Sequence, residues 1–354
     1  MESNIEFKVS VRCMTYNQAD YIEDAMNGFC MQKTDFHFIC NIIDDASTDG
    51  EQAVITKYLE THFDLNDNSI VKKDETDDYS LTILRHKENR NCFFAVLFLK
   101  YNHYGSQVLK NKKLKYLSGW ESNAKYIAYC EGDDYWIDPL KLQKQVDFLD
   151  ENNGYSACFG NRIVLYEDKK VIEKRKYLKN DYSIKDIMSG TLMGLQNLCY
   201  RNAVNEIPCT TNSNGDFKIS YQCAKYGNIK YLDEDFAIYR YSGKGIATSR
   251  NKEEEIEHTY KEWYIFHKGL GFQYNKELAK LDVFIFIRGG VLKRDFMMHL
   301  KYLKMYHSPS KYRYIWYIIG LFEYIYECFR KIIINHKQIV VIEHTEQLIQ
   351  SNGL

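Results

Sequence analysis

Two acidic pairs, Asp44-Asp45 in IIDDASTDG and Asp133-Asp134 in YCEGDDYW, each follow a short apolar run. Carboxylates gathered in one place repel one another unless something positive sits among them. A divalent cation bound to an anionic diphosphate is the usual resolution, because Mg²⁺ and Mn²⁺ take carboxylate and phosphate oxygens together. The chain has no GxxxxGK[ST] loop, which excludes an NTPase-type phosphate cradle. It has no GxSxG nucleophile elbow either.

These groups need strands and helices to hold them. Residues 7–14, FKVSVRCM, alternate and are rich in β-branched side chains, which predicts a strand. Further strands are predicted at 36–43, at 81–85 (LTILR) and at 126–130. Residues 88–116 are rich in Lys and Asn and read as an irregular loop followed by a helix. Apolar positions from Asp20 to Met31 fall at helical spacing, and Ser47-Thr48-Asp49-Gly50 caps a helix running to about Phe63. Asp138-Pro139 opens a third helix, which Asn153-Gly154 stops. Alternating strands and helices predict an α/β fold with a mostly parallel sheet flanked by helices. In such sheets the ligand sits beyond the carboxyl ends of the strands. Thr15-Tyr16-Asn17, Asp44-Asp45 and Asp133-Asp134 are therefore expected on one rim.

The chain of 354 residues has a formal net charge of −1, so no global field draws it to nucleic acid. Its ten cysteines show no CxxC spacing, which argues against a zinc knuckle; they read as small buried hydrophobes in a reducing compartment. His37, His86 and His103 fall in no ligand spacing and are expected at the surface or partly buried. The polar opening MESNIEF and the lack of an apolar run of transmembrane length lead to the expectation of a cytoplasmic protein.

Four blocks carry a resemblance: VSVRCMTYNQADYIEDAM, IIDDASTDG, KYIAYCEGDDYWIDPLKLQKQVDFL and GDFKISYQCAKYGNIKYLDEDFAIYRYSGKG. Over about residues 7–250 the chain resembles family 2 glycosyltransferases of the GT-A fold, of the bacterial polysaccharide type. The resemblance implies a catalytic domain over 1–250, with a donor-binding half at about 7–150 and an acceptor-side half at about 151–250. A helical, basic and aromatic region follows at 251–354. The implied activity is metal-assisted transfer of a sugar, with inversion, from a nucleotide-sugar donor to a glycan or lipid-linked acceptor. The resemblance favours UDP as the nucleotide.

By the same resemblance Thr15, Tyr16 and Asn17 would lie at the nucleotide, and Asp45 would accept a hydrogen bond from the base. Asp133 would face ribose or metal, Asp134 would hold Mg²⁺ or Mn²⁺ on the diphosphate, and Trp136 would pack beneath that turn. Asp216 would be the catalytic base, and Arg240 would pair with diphosphate. The chain departs from the family pattern at three places: Glu131 for the first Asp of the acidic turn, Gly215 before Asp216, and Ser242 where relatives carry His. Lys244 offers a substitute cation for the last. Glu234 and Asp235 are the alternative carboxylates for the base.

A nucleotidyltransferase would want a Gly-rich, basic loop after the first strand, and TYNQAD is not one. A non-enzymatic sugar-binding scaffold would be expected to lose Asp134 or Asp216, and both are present. Residues 293–337 hold nine Lys or Arg against three Asp or Glu, interleaved with aromatics. This pattern suits peripheral contact with a membrane, a helical appendage, or a dimer contact.

Overall fold

The computed structural model describes residues 5–343, apart from 68–70, 107, 110–111, 114–115, 117–122, 178, 210, 212–214, 244–249, 292–294, 312 and 335–338. Among the described residues the strands are β1 (Val9–Thr15), β2 (Phe38–Asp44), β3 (Lys72–Glu75), β4 (Tyr79–Arg85), β5 (Cys92–Leu99), β6 (Tyr126–Tyr129), β7 (Tyr135–Trp136), β8 (Tyr155–Phe159), β9 (Arg162–Tyr166), β10 (Val171–Arg175), β11 (Asp181–Tyr182), β12 (Cys199–Arg201), β13 (Asn228–Tyr231), β14 (Ala237–Tyr241) and β15 (Ile339–Glu343). The α-helices are α1 (Ile22–Cys30), α2 (Glu51–His62), α3 (Lys141–Glu151), α4 (Ile184–Met188), α5 (Gly215–Tyr226), α6 (Lys252–Gly269), α7 (Asn275–Ile285), α8 (Phe296–Met305) and α9 (Arg313–Ile334).

The larger sheet runs β11-β13-β8-β12-β6-β1-β2-β5-β4-β3. Its centre, β6-β1-β2-β5, is parallel, as the alternating pattern predicts. β12 and β4 then pair antiparallel on either side of that centre. A smaller sheet, β15-β10-β9-β14-β7, lies beyond the acidic turn. β1 is buried along almost its whole length because α1, α2 and α3 cover one face of the central strands. Val11, Cys13, Met26, Phe29, Ile55 and Val146 share that core. Seven of the nine described cysteines are buried there or in the adjoining cores, and all nine are free thiols.

The region read as irregular, 88–116, contains β5, the strand between β2 and β4. Its sequence CFFAVLFL is buried on both faces, so it lacks the alternation that marks a half-exposed strand. Polar residues on either side dominate the composition of that window. His86 and His103, expected at the surface or partly buried, are buried.

The helical C-terminal region docks on the helix that carries Asp216. Phe217 of α5 meets Trp263 of α6 edge-to-face at 4.4 Å, and both share a core with Leu278 and Leu281 of α7. Asp282 of α7 is buried, and its carboxylate accepts from the Ser308 N–H at 3.2 Å and the Tyr317 hydroxyl at 3.4 Å. Burial raises its pKa from 3.8 to about 8. The folded state therefore holds a proton that the unfolded chain releases, and stability falls as pH rises through that window. Asp282→Asn removes this slope. Denaturant melts at pH 5 and pH 9 should show wild type losing stability relative to the Asn variant at the higher pH; a gap independent of pH would contradict the assignment.

Candidate active site

The ends of β6, β1 and β2 lie side by side on one edge of the sheet. Thr15 at the end of β1 pairs with Asp44 at the end of β2. The pairing continues into the loops: Asp45 N–H donates to the Thr15 carbonyl at 3.0 Å, and Gly132 N–H donates to the Met14 carbonyl at 3.1 Å. Gly132 is required there, because a Cβ would stand 2.3 Å from Thr15 Oγ1. This places the acidic turn directly on the first loop. Trp136 is buried as expected, edge-on to Phe29 at 4.9 Å, with its indole N–H donating to the Gln196 carbonyl at 2.9 Å.

Glu51, which the sequence reading passed over, organises the rim. Its buried carboxylate accepts from the Thr15 hydroxyl, the Gln18 N–H at 2.9 Å and the Ser47 hydroxyl at 2.8 Å. Asn17 closes the same clasp: its N–H donates to Ser47 Oγ at 2.8 Å, and its Oδ1 accepts from the Thr48 N–H at 2.8 Å. Thr15 is thus buried and joined to Glu51, and Asn17 holds loop to loop. Tyr16 leaves 45% of its surface exposed at the rim.

Asp45 is enclosed by the segment after β5. Its Oδ1 accepts from the His103 N–H at 2.7 Å, and its Oδ2 pairs with Lys113 Nζ at 2.9 Å. Asn102 Nδ2 donates to the Asp45 carbonyl at 2.9 Å. The only trace of this clamp in the sequence is a Lys/Asn-rich stretch after an apolar run.

Glu131, Asp133 and Asp134 lie in one turn after β6, and Asp216 opens α5. Asp134 is buried, and its Oδ1 accepts from the Arg240 backbone N–H at 2.9 Å. Burial first, and the charge of Asp133 second, push its carboxyl well above the usual range. Burial raises Asp133 too, against a partial offset from Arg240 and Gln18. Glu131 is pushed up to about 8, by the protein around it and then by the charges of Asp133 and Asp216. Burial also raises Asp216, in the first turn of α5. Glu131 and Asp216 are both exposed to solvent. The charge of Asp216 contributes, after burial and Asp133, to the raised Glu131 carboxyl. Among the described residues no three His, Cys, Asp or Glu side chains form a ready-made metal cage.

The Arg240 side chain is paired with two other acids. Its guanidinium lies 4.6 Å from the Tyr21 ring centre and 5.0 Å from that of Tyr135, and pairs with Asp24 at 2.7 Å and Glu167 at 3.5 Å. It is 8% exposed and ties α1 to β14. Lys244 lies outside the described residues. Glu234 and Asp235 pair with Lys144 at 2.8 Å and Lys174 at 2.6 Å around a separate cavity of ≈ 380 Å³.

No family model matches the chain. An uncharacterized protein of Mycobacterium tuberculosis, Rv1520, is 29% identical over 242 residues, 67% of this chain. The chain spans 60% of the length of that relative. The putative teichuronic acid biosynthesis glycosyltransferase TuaG of Bacillus subtilis is 23% identical over 263 residues, 73% of this chain and 87% of that protein. The crystal structure of S. aureus TarS 1-349 in complex with UDP-GlcNAc aligns over 90% of this chain and 81% of that one, with TM-score 0.53 and 18% identity. The structure of the same TarS segment with UDP aligns over 82% of this chain and 74% of that one, with TM-score 0.51 and 16% identity. The chain has the GT-A fold and is similar to glycosyltransferases of the bacterial polysaccharide type.

Glu51→Ala leaves the Gln18 N–H and two hydroxyls without their acceptor. The expected loss of stability is about 1–3 kcal/mol for a buried polar group left unpaired, with loosening of both rim loops. Urea melts check this; a change below about 0.5 kcal/mol, the scale of an ordinary surface substitution, would show that Glu51 does not hold the rim.

Proposed function

We propose that the protein is a glycosyltransferase that moves a sugar from a nucleotide-sugar donor, UDP-linked, to a hydroxyl of a glycan or lipid-linked acceptor, with inversion at the anomeric carbon. The observation that carries this reading is that the acidic turn at 131–134 lies directly against the Thr15 loop, and that loop against Asp45, at the carboxyl ends of the parallel strands β6, β1 and β2. The likeness to TuaG and to TarS, solved with UDP-GlcNAc, supports the class of donor.

The cluster fits a divalent cation. Mg²⁺ and Mn²⁺ sites in such enzymes need only one or two carboxylates, with substrate phosphate oxygens completing the shell. Asp134 and Asp133 would hold the ion, which when bound neutralises charge on the departing diphosphate. Tyr16 offers an exposed ring at the rim for the nucleotide base. Asn17 and Thr15 contribute through the shape of the loop, which Glu51 sets. Asp45 is held by Lys113 beside the place where the base would lie. Arg240 serves the diphosphate site through its backbone, by fixing the Asp134 carboxylate.

Asp216 takes the proton of the acceptor hydroxyl as that oxygen bonds to the anomeric carbon and the bond to the diphosphate breaks. The raised pKa of Asp216 suits this role, because a base works best with a pKa near the operating pH. The rate should therefore fall as pH drops through that raised value.

Asp216→Asn keeps size and polarity but accepts no proton. It should lose turnover by roughly 10²–10⁴-fold, the range for a positioned base, with donor affinity close to wild type. Asp134→Asn should weaken donor binding first. Calorimetry of donor binding and product release, run on the same folded preparations, separate the two. Turnover of Asp216→Asn within about threefold of wild type, far short of the range for a positioned base, would assign the base elsewhere.

A further inference from the structure

Among the described residues of helix α9, one side is docked and the other is exposed. Toward α7, Gly320 is buried, and a Cβ there would come 3.1 Å from Lys280 Cα. Tyr317 reaches Asp282, and Lys276 sits 5.1 Å over the Trp316 ring. On the other side Ile315, Ile318, Leu321, Phe322, Ile325 and Tyr326 are 41% to 67% exposed. At 3.6 residues per turn these six fall within an arc of about 140°. No charged residue interrupts them, and such a bare apolar stripe on a protein surface marks an interaction site.

We propose that this face of α9 rests on the surface of an anionic phospholipid bilayer. Two features choose lipid over a second copy of the chain. The arc is wider than the narrow seam of a helix pair, and it mixes aliphatic with aromatic side chains, as interfacial helices do. The charge of the surrounding segment is also complementary to anionic headgroups. The whole chain has a net charge of −1, whereas residues 293–337 carry nine Lys or Arg against three Asp or Glu. Lys304 and Lys311 stand exposed just before the helix. No described helix is long and apolar enough to cross a membrane, so α9 would lie along the surface. Such a helix of 22 residues would cover about 33 Å of bilayer.

Flotation of the full chain with vesicles tests this without any nucleotide sugar, so its outcome is separate from that of the donor chemistry. Vesicles mixing phosphatidylglycerol with phosphatidylcholine should carry the protein upward at low salt, and pure phosphatidylcholine vesicles should carry much less. The double variant Ile318→Asp with Phe322→Asp should bind the anionic vesicles at least tenfold more weakly, with an unchanged melting temperature because both side chains are exposed. Wild type that stays with the soluble fraction, or a variant that floats equally well, would overturn the proposal. A dimer in light scattering that the double variant dissolves would assign the face to a second copy and overturn it as well.

Discussion

Glu131, Asp133 and Asp134 crowd one turn, and the Arg240 guanidinium pairs with Asp24 and Glu167. Like charges at such distances raise one another's pKa, and burial raises them further. The protein maintains this unfavourable arrangement through rigid backbone. Three parallel strands deliver the loops to one edge, and hydrogen bonds between neighbouring loops extend the sheet pattern past the strand ends. The repulsion is what a bound cation and diphosphate would relieve.

The acidic turn and Asp216 are held by different parts of the fold. Gly132 lets the acidic turn lie against Thr15, and Glu51 binds that same Thr15 to Ser47 of the second loop. The Arg240 backbone fixes one oxygen of Asp134, while its side chain ties β14 to α1 through Asp24. Asp216 depends on α5, and α5 depends on Phe217 packing against Trp263 and Phe266. The C-terminal helices are thus part of the support for the proposed base.

How much was legible in the sequence follows from the range of the interactions. The acidic turn and the strands before it are local patterns, and the parallel order of β6, β1 and β2 follows from the βαβ alternation. The GT-A architecture was expected from the resemblance that the four sequence blocks carry. β5 was missed because a strand buried on both faces carries no alternation. Glu51 reads from the sequence as an ordinary acid in the first turn of a helix, where the dipole favours one, and its hydrogen bonds to Thr15 and Gln18 leave no local mark. Arg240 and Asp24 are 216 positions apart, so nothing near Arg240 announces that its guanidinium is already paired. The clamp of Lys113 on Asp45 crosses 68 positions and was hidden in the same way.

The central claim is that the crowded carboxyls await a cation bound to a nucleoside diphosphate. Calorimetry of UDP binding at pH 7, with Mn²⁺ or with EDTA, in two buffers of different ionisation enthalpy, tests it most directly. Glu131, pushed up to about 8, is largely protonated at that pH, so a cation among its neighbours should expel protons. The account predicts that UDP binds only with Mn²⁺ and that binding releases protons to the buffer. Equal UDP affinity in EDTA, with no difference between buffers, would contradict it.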